Sequence, residues 1–398
     1  MRGPVVLAVN PGSQSLKVAA HDGSGARLWA HRVPRPTTDP GSAMTEVAGR
    51  LAAAGLPVSA VAHRVVHGGP AHVQPERIHD DLLADLRRLV DFAPLHLPGD
   101  LASIEAARSR WPGVPHVACF DTAFHATLAP AAHRLPVPDG IAAMGVRRYG
   151  FHGLSIQHVV DTVPGLGRAV VAHLGGGCSV TAVAGGRSVQ TSMSFSPTGG
   201  LPSVSRSGDL DPEVLLFLID RGWTTAELRG VVDRSSGIAG ISGGLTDVAE
   251  LTGRAASGDP DCRLALEVFT TAVATAVAGY TAVLGGLDTL VFTGGIGEHS
   301  APVRDAVTVR LRHLGVVVEP AAAVPGDVSA PGALVRTLVV ATDEERVMDR
   351  LTRELLRPAL PEAGPLSTHG RLGTPGRLGT SGQLSVHGQI STLGGLSG

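Results

Sequence analysis

A single lysine stands among the 33 basic residues of the chain, and it lies in a short segment of small and apolar residues. This segment, Val5–Asp22, begins with an apolar run and carries Lys17 beyond a turn of glycine and serines. Backbone N–H groups, hydroxyls and one compact ammonium group together suit a phosphate. The other 32 basic residues are arginines. A site that needs a compact, flexible ammonium group would explain why this one position is lysine. The alternative is that Lys17 is a chance exception in an arginine-rich composition.

Two further segments place a charged residue at the end of an apolar run. Arg64 leads into the glycine turn Gly68-Gly69, and Asp121 follows the mostly apolar residues 117–120. Binding sites of α/β folds are assembled at such strand ends. An arginine there can clamp a carboxylate or phosphate, and an acid can orient a nucleophile or accept a proton. A surface ion pair for Arg64 and a helix cap for Asp121 are the alternatives.

Two loops add a histidine and a second arginine. Residues 147–155 contain two arginines, two aromatic residues and His152 between glycines, in a chain with only 3% aromatic residues. An imidazole there can donate to a developing anion, whereas a packed loop histidine is the alternative. Residues 203–212 place Arg206 among hydroxyls, before a helix start at Asp211-Pro212. Two such arginines suit phosphoryl transfer to a small anionic acceptor.

Glycine turns follow two later apolar runs. Val170–Val183 repeats the strand, glycine turn and strand of Val5–Asp22, with Gly175-Gly176-Gly177 in its turn. A phosphate-holding hairpin in each of two halves indicates a duplicated domain with a cleft between the copies. Residues 291–300 run from an apolar strand through a glycine turn into a helix, which lets the backbone approach a nucleotide closely.

Acidic residues follow the last apolar run of the chain. The run Val335–Ala341 is followed by Thr342 and then by Asp343-Glu344-Glu345. Paired acids at a strand end can hold Mg²⁺, usually through one or two carboxylates with water and phosphate. A negatively charged helix start is the alternative, because acids are favoured there in any case.

The elements that must position these residues alternate between strands and helices, which predicts an α/β fold. The predicted strands are Val5–Val9, Lys17–His21, Arg27–Val33, Ala60–Val66, Val117–Phe120, Ala169–His173, Ser179–Ala184, Thr289–Thr293 and Val335–Ala341. The predicted helices are Asp80–Phe92, Leu101–Ser109, Pro212–Asp220, Cys262–Val283, Pro302–Leu314 and Glu344–Leu356.

Composition limits the class of protein. A length of 398 residues predicts two or three domains, and 43% hydrophobic with 17% charged residues describes a soluble globular protein. A net charge of −2 without a long basic run argues against nucleic acid as a partner.

The sequence also indicates the compartment of the protein. We see no signal peptide pattern, and three widely spaced cysteines indicate small, reduced apolar side chains, so we expect a cytoplasmic protein. The uncharged stretch Val268–Leu287 could span a membrane, but its Thr, Ala and Gly content favours a buried helix running into a strand.

In their order along the chain, these segments resemble the acetate kinase family, which includes propionate and butyrate kinases. The family belongs to the sugar-kinase, heat-shock-chaperone and actin superfamily. The resemblance extends from about Val5 to Leu356 and is most specific in Phe120–His125, Tyr149–His152, the run from Arg206 and Thr293–Glu298. It implies two duplicated ribonuclease-H-like domains around a central nucleotide cleft. It also implies reversible, in-line phosphoryl transfer from ATP to a short carboxylate, acetate above all, with Mg²⁺ or Mn²⁺.

The resemblance assigns roles to individual residues. The implied catalytic residues are Asn10, Arg64, Asp121, His152 and Arg206. Of these, the arginines clamp the carboxylate and the transferring phosphoryl group, the aspartate orients the acceptor, and the histidine stabilises the transition state. The implied metal ligands are Asn10 and Glu344. The implied ATP-binding residues are Ser13, Ser15, Lys17, His173, Gly175, Gly176, Gly177, Asp247, Gly294, Gly295, Ile296 and Gly297. The implied pocket for the acyl group consists of Val66, Leu95, Phe151 and Pro197.

The chain departs from the pattern of the family at several loop positions. The family usually has Asn where this chain has Gly176, Leu97 and Asp100, and Glu where this chain has Pro70. It usually has Gly-Thr where this chain has Val204-Ser205, and Arg where this chain has Ala249. The last of these is thought to flank the adenine. The residues of phosphoryl transfer are present, so the departures leave open the affinity and choice of nucleotide and the preferred acid.

The resemblance also predicts how the chain is divided. We expect a first domain of residues 1–145 completed by 342–360, a second of 146–341, and a low-complexity, disordered tail at 365–398. The family is usually a homodimer through the second domain. Three hypotheses follow: an acetate kinase, a propionate or butyrate kinase, or a non-catalytic nucleotide-binding protein on the same fold. The retained charged residues argue against the third.

Overall fold

Two six-stranded sheets form the frame of the protein. The computed structural model describes residues 4–12, 15–34, 39–319 and 322–357. The first sheet has the strand order β3-β2-β1-β4-β6-β5. Its strands are β1 (Val5–Pro11), β2 (Ser15–His21), β3 (Arg27–Pro34), β4 (Val58–Val65), β5 (Glu76–Arg77) and β6 (His116–Phe120).

The second sheet repeats the first. Its strand order is β11-β12-β10-β7-β8-β9. Its strands are β7 (Ala169–Leu174), β8 (Cys178–Ala184), β9 (Arg187–Thr191), β10 (Thr289–Thr293), β11 (Gly326–Asp327) and β12 (Arg336–Val339). Each sheet has an antiparallel meander of three strands, two parallel strands added beside its first strand, and a short antiparallel edge strand. The predicted α/β fold with duplicated halves is therefore confirmed.

Fourteen α-helices are found within the described residues. Those before the second sheet are α1 (Pro40–Ala53), α2 (Asp80–Arg88), α3 (Leu97–Arg110), α4 (Pro130–His133), α5 (Asp139–Ala142) and α6 (Gly153–Thr162). Those that follow are α7 (Pro212–Ile219), α8 (Thr225–Arg234), α9 (Gly237–Ile241), α10 (Val248–Ala256), α11 (Pro260–Leu284), α12 (Gly294–His299), α13 (Ala301–Arg310) and α14 (Glu344–Leu356). Short 3₁₀ turns at 90–92, 123–127 and 312–314 complete the set.

The predicted strands and helices are confirmed, with shifts of a few residues at their ends. The predicted helices omitted α1, α4, α5, α6, α8, α9 and α10, and the predicted strands omitted β9 and the two-residue edge strands β5 and β11. Helix α1 did carry a signal, because Asp39 caps it, proline occupies its first position, and Met44, Val47 and Leu51 are buried at helical spacing.

The helix α14 returns from the second sheet to the first. Val347 and Met348 of this helix are buried in one apolar cluster with Ala8 of β1 and Ala62 of β4. A face of α6 enters the same cluster through Leu154. The strand ends that carry polar residues are thereby held beside the start of α14. The division at residues 145 and 146 stays a prediction, and the predicted disordered tail at 365–398 lies outside the described residues.

The uncharged stretch at 268–287 forms the second part of α11 and the turn before β10. One face of the helix is buried through residues such as Phe269, Val273 and Val277, whereas Leu264 and Val283 are exposed. The prediction of a buried helix thus holds for one face. Among the described residues, α11 is the one helix whose length and hydropathy meet the requirement for a membrane span.

The three cysteines are free and buried, as the sequence predicts. Cys119 lies in β6, Cys178 begins β8, and Cys262 lies in the first turn of α11. Burial raises the pKa of the Cys119 and Cys178 thiols to about 12, so both stay protonated and unreactive near neutral pH.

Candidate active site

A cleft of about 890 Å³ receives the polar ends of strands from both sheets. Most of the residues that the sequence assigns to the site meet here. The assigned residues that line the cleft are Asn10, Ser15, Lys17, Arg64, Val66, Asp121, Phe151, His152, His173, Gly175, Gly176, Gly177, Pro197, Arg206, Asp247, Gly294, Gly295, Ile296 and Glu344. Residues up to 334 positions apart in the chain are therefore in contact at one place.

Two of the assigned residues that the structure describes do not line the main cleft. Leu95 lines a neighbouring cavity of about 330 Å³, which shares His96 and Arg206 with the main cleft. Gly297 is buried in α12 and does not line the cleft, and an added Cβ would lie 3.5 Å from the backbone of Phe292. Ser13 lies outside the described residues.

Arg64 and Asp121 form an ion pair on the first-sheet side of the cleft. The Arg64 Nε donates to Asp121 Oδ2 at 3.0 Å, its Nη2 donates to the same oxygen, and its Nη1 donates to the carbonyl of Pro11 at 2.9 Å. Burial raises the pKa of Asp121 to about 6, an effect that Arg64 opposes and Glu344 reinforces. Burial disfavours the charge of Arg64, but the two carboxylates outweigh it and raise its pKa. The Asp121 side chain thus pairs with Arg64 and does not cap a helix.

Asn10 joins the end of β1 to the start of α14. Its Nδ2 donates to Glu344 Oε2 and to Glu345 Oε1, each at 2.8 Å. Burial raises the pKa of Glu345, and the adjacent Glu344 adds to that rise. For Glu344, burial acts in the same direction, but Arg64, His173 and Asn10 outweigh it and lower its pKa. Glu344 is therefore a carboxylate near neutral pH, both at the start of a helix and inside the cleft.

Two imidazole rings are stacked beside the glycine turn of the second sheet. The centroids of His152 and His173 lie 4.0 Å apart with an interplanar angle of 23°. His152 has φ 60° and ψ 22°, the left-handed region, and is the one non-glycine residue with positive φ among the described residues. Such strain is costly for a residue with a Cβ and persists where the surroundings enforce it. Burial, with the neighbouring His173, lowers the pKa of His152 well below its usual value, so the ring is neutral.

Arg206 lines the cleft beside Gly177 and is 9% exposed. Its Nη1 donates to the carbonyl of Pro197 at 3.1 Å, and its Nη2 lies 2.9 Å from Nε2 of His96. An arginine nitrogen can only donate, so Nε2 of His96 accepts. Gly177 makes room for the guanidinium, because a Cβ at that position would lie 2.7 Å from Nη1.

Backbone geometry opens the second-sheet side of the cleft. Gly294 has φ +76°, and an added Cβ would lie 2.7 Å from the carbonyl oxygen of Leu174. Its N–H donates to the hydroxyl of Thr342 at 3.0 Å, and Glu298 accepts from the N–H of Thr342 at 2.9 Å. Asp247 caps α10 by accepting from the N–H of Ala249 at 2.8 Å. These contacts present backbone and small side chains to the cleft, as a nucleotide requires.

Sequence reasoning omitted several residues that the structure places in or beside the cleft. His96, Thr342 and Glu298 line it, and Glu345 shares the amide of Asn10. Glu345 stood next to an assigned acid, and Glu298 stood inside the quoted glycine segment, so both had a local signal. His96 had none, since its contact with Arg206 joins positions 110 apart.

A duplicated α/β fold whose cleft combines two arginines, a lysine, glycine turns and a carboxylate is that of a kinase. The charges and the open backbone are those that phosphoryl transfer requires, because such enzymes act mainly through positioning and charge neutralisation. A sequence model of the Acetokinase family matches residues 39–350, well over half of the chain. The chain belongs to that family.

Individual relatives agree with this assignment. The acetate kinase of Deinococcus deserti is 44% identical over 392 residues, which cover 88% of this chain and 98% of that protein. The propionate kinase of Citrobacter rodentium is 37% identical, covering 90% of this chain and 97% of that protein. The crystal structure of a propionate kinase from Francisella tularensis superposes with a TM-score of 0.82 at 30% identity, covering 87% and 98% of the two chains.

Proposed function

We propose that the protein phosphorylates acetate with ATP, reversibly, giving acetyl phosphate and ADP by direct in-line transfer. A carboxylate oxygen attacks the γ-phosphorus while the bond from that phosphorus to the bridging oxygen of ADP breaks. The observation that carries the proposal is the placement of Arg64, Arg206 and His152 around one cleft. Three hydrogen-bond donors from separate segments then surround the transferring group, and two of them are cationic. The names of the relatives support acetate as the acceptor.

The acceptor binds on the side of the cleft formed by Arg64, Asp121 and Arg206. The guanidinium groups neutralise the charge of the carboxylate and of the transferring phosphoryl group. The apolar side chains of Val66 and Phe151 line the same cleft and supply contact for a short alkyl group. Positioning of this kind supplies much of the rate enhancement in phosphoryl transfer.

The nucleotide binds on the opposite side, against the two glycine turns. Lys17 and the glycine turns at residues 175–177 and 294–295 line the part of the cleft where the phosphates would lie, and Asp247 and Ala249 also line the cleft. A small side chain at position 249, where the family usually has arginine, leaves the adenine side open. We therefore expect weak selection among purine nucleotides.

The residues Asn10 and Glu344 fit a magnesium ion that arrives with the nucleotide. The Nδ2 of Asn10 is occupied by the two glutamates, which leaves its Oδ1 for a cation. Among residues 4–12, 15–34, 39–319 and 322–357, no group of three or more His, Cys, Asp or Glu forms a cage of protein ligands. Mg²⁺ usually takes one or two carboxylates and completes its shell with phosphate and water. The ion would neutralise charge on the phosphates.

A shift of specificity to propionate or butyrate is the second candidate. Leu95 faces the neighbouring 330 Å³ cavity and not the main cleft, so one wall of the expected acyl pocket is open. One methylene changes discrimination by only about 1–3 kcal/mol. Mixed specificity among short acids is therefore compatible with this pocket.

Trapping of the acyl phosphate with hydroxylamine tests the reaction and the acceptor together. The purified protein is given Mg·ATP with formate, acetate, propionate or butyrate. Highest turnover with acetate supports the proposal, and highest turnover with a longer acid transfers it to the second candidate. No product with any acid, in folded protein that still binds ATP, would refute the kinase activity and favour a nucleotide-binding role.

We also propose that the protein acts as a homodimer. Helix α7 buries none of its residues, although Val214, Leu216, Phe217 and Ile219 are apolar and each more than 40% exposed. Contiguous apolar surface of this kind marks an interface, and a second copy of the chain is the partner that the family suggests. Light scattering of the wild type and of Phe217→Glu would test it; a monomeric wild type would refute it.

A further inference from the structure

Two buried serines are hydrogen-bonded to the two stacked histidines in a crossed arrangement. Ser179 Oγ lies 2.9 Å from Nδ1 of His152, and Ser155 Oγ lies 2.8 Å from Nδ1 of His173. Ser155 follows His152 by three residues, and Ser179 is the strand partner of His173 between β7 and β8. Each segment thus supplies one histidine to the site and one serine to the histidine of the other segment.

The direction of these hydrogen bonds follows from the burial of the serines. Both serines have no exposed surface, and among the described residues each hydroxyl has the imidazole as its one hydrogen-bond partner. A buried O–H donor is nearly always satisfied. The hydroxyl therefore donates, Nδ1 accepts, and the hydrogen of the neutral ring is carried by Nε2.

A third pair in the same protein shows the same direction independently. His125 Nε2 lies 2.9 Å from the carbonyl oxygen of Phe151, and its Nδ1 lies 2.9 Å from Ser188 Oγ. A carbonyl only accepts, so Nε2 of His125 carries the hydrogen and the Ser188 hydroxyl donates to Nδ1. His125 is thus held as the Nε2–H tautomer by the Ser188 hydroxyl at Nδ1 and by the Phe151 carbonyl at Nε2.

The Nε2 atoms of the crossed pair lie beside the glycine turn, and no hydrogen-bond partner for either atom is found among the described residues. A Cβ at Gly177 would lie 3.5 Å from Nε2 of His152, and a Cβ at Gly175 would lie 3.7 Å from Nε2 of His173. Both rings line the cleft. Two N–H groups are thereby directed to the place where a phosphate would lie, without adding a positive charge beside Arg64 and Arg206.

We propose that Ser179 and Ser155 are positioning residues that hold His152 and His173 as Nε2–H tautomers, so that both rings donate hydrogen bonds to phosphate oxygens in the cleft. This inference rests on the proposed function for its ligand, a nucleoside triphosphate and the phosphoryl group in transfer. The opposite tautomer would direct a lone pair at an anion, which repels it.

NMR of protein labelled with ¹⁵N-histidine, recorded without substrates, distinguishes the two tautomers of each imidazole ring. The signals that disappear in His152→Gln and in His173→Gln are those of His152 and His173. We expect Nε2–H for both rings in the wild type and a mixture of tautomers for His152 in Ser179→Ala. Ser188→Ala is the matched control, because Phe151 still fixes His125 and its signal should not change. An Nδ1–H signal for His152 in the wild type, or an unchanged signal in Ser179→Ala, would overturn the inference.

Kinetics supply the second readout. Loss of the outer hydrogen-bond partner of a metal-binding histidine typically costs about 10- to 100-fold in affinity or activity, and we use this factor as the analogy for His152. We expect Ser179→Ala to lower kcat by that factor with little change in KM, and Ser179→Thr, which keeps the hydroxyl, to restore most of it. A Ser179→Ala enzyme with wild-type kcat would refute the role of Ser179 in positioning His152.

If Ser179→Ala fails to fold, Ser155→Ala and the tautomers of the wild type still test the inference. A wild type that phosphorylates no acid refutes the proposed function, whereas the NMR result stands separately.

Discussion

Arg64 directs two of its nitrogens to one oxygen of Asp121 and leaves the other oxygen without a hydrogen bond. Nε and Nη2 both donate to Oδ2, whereas Oδ1 is buried and has no partner among the described residues. A buried carboxylate oxygen without a partner is unusual. Asp121 lines the cleft, so a bound water molecule is the group that would donate to Oδ1, because a carboxylate acceptor has no hydrogen to donate.

The ionisation of Asp121 should set the acid limit of activity. Burial raises its pKa to about 6, so the carboxylate is protonated progressively below that pH and ionised above it. The ionised form pairs with Arg64 and orients the acceptor, so we expect kcat/KM to fall as pH falls through 6, approaching tenfold per unit. A pH profile corrected for ionisation of the acid substrate measures this. Constant kcat/KM from pH 7 down to pH 5 would contradict it.

Removal of either cleft arginine should abolish most of the activity. By analogy with arginine fingers, Arg64→Ala and Arg206→Ala should each lower kcat by roughly 10³–10⁵. Lysine should restore little, because it cannot reproduce the planar fork of donors. Arg87→Ala is the control, since Arg87 is exposed and pairs with Glu105 at the surface. Near wild-type turnover in Arg206→Ala would remove this residue from the mechanism.

The frame of the protein was predictable because its central strands are buried on both faces. Every residue of β1, β7 and β10 is buried, and buried parallel strands give continuous apolar runs in the sequence. Helices such as α8 and α9 gave no comparable pattern, since α8 buries a single residue, Leu228. Their formation depends on caps such as the Thr224 capping box and on neighbouring segments.

The site residues at strand ends were predictable, whereas the contacts between distant segments were not. Arg64, Asp121 and Glu344 follow apolar runs, so residue type and position indicated them together. The contacts of His96 with Arg206 and of Ser179 with His152 join loops that only folding brings together. Leu95 faces a second cavity because the chain turns just before α3 at Leu97, and no local pattern specifies the direction of a side chain in such a turn.

A methyl group at Gly177 should disturb catalysis by displacing Arg206. The added Cβ would lie 2.7 Å from Nη1, the atom that donates to Pro197, so the guanidinium must move. Displacement of a catalytic group by about 1 Å costs roughly 100-fold in rate, and we expect kcat of Gly177→Ala to fall by that factor. Gly49→Ala is the control, because a Cβ at this exposed glycine of α1 would meet nothing within 4 Å. Equal kinetic effects of the two substitutions would contradict the explanation.

Glu344 should determine how much magnesium the reaction needs. Its pKa is lowered by Arg64 and His173 against the effect of burial, so it offers a carboxylate beside the Oδ1 of Asn10. Glu344→Gln keeps the size and one oxygen but removes the charge, so we expect half-maximal activation at a Mg²⁺ concentration at least about tenfold higher. Glu354→Gln is the control on the same helix, because Glu354 is exposed and pairs with Arg350. Titration of kcat with Mg²⁺ at fixed ATP measures the shift. Identical Mg²⁺ dependence in Glu344→Gln and wild type would place the ion on the nucleotide alone, and would leave Glu344 as the partner of Asn10.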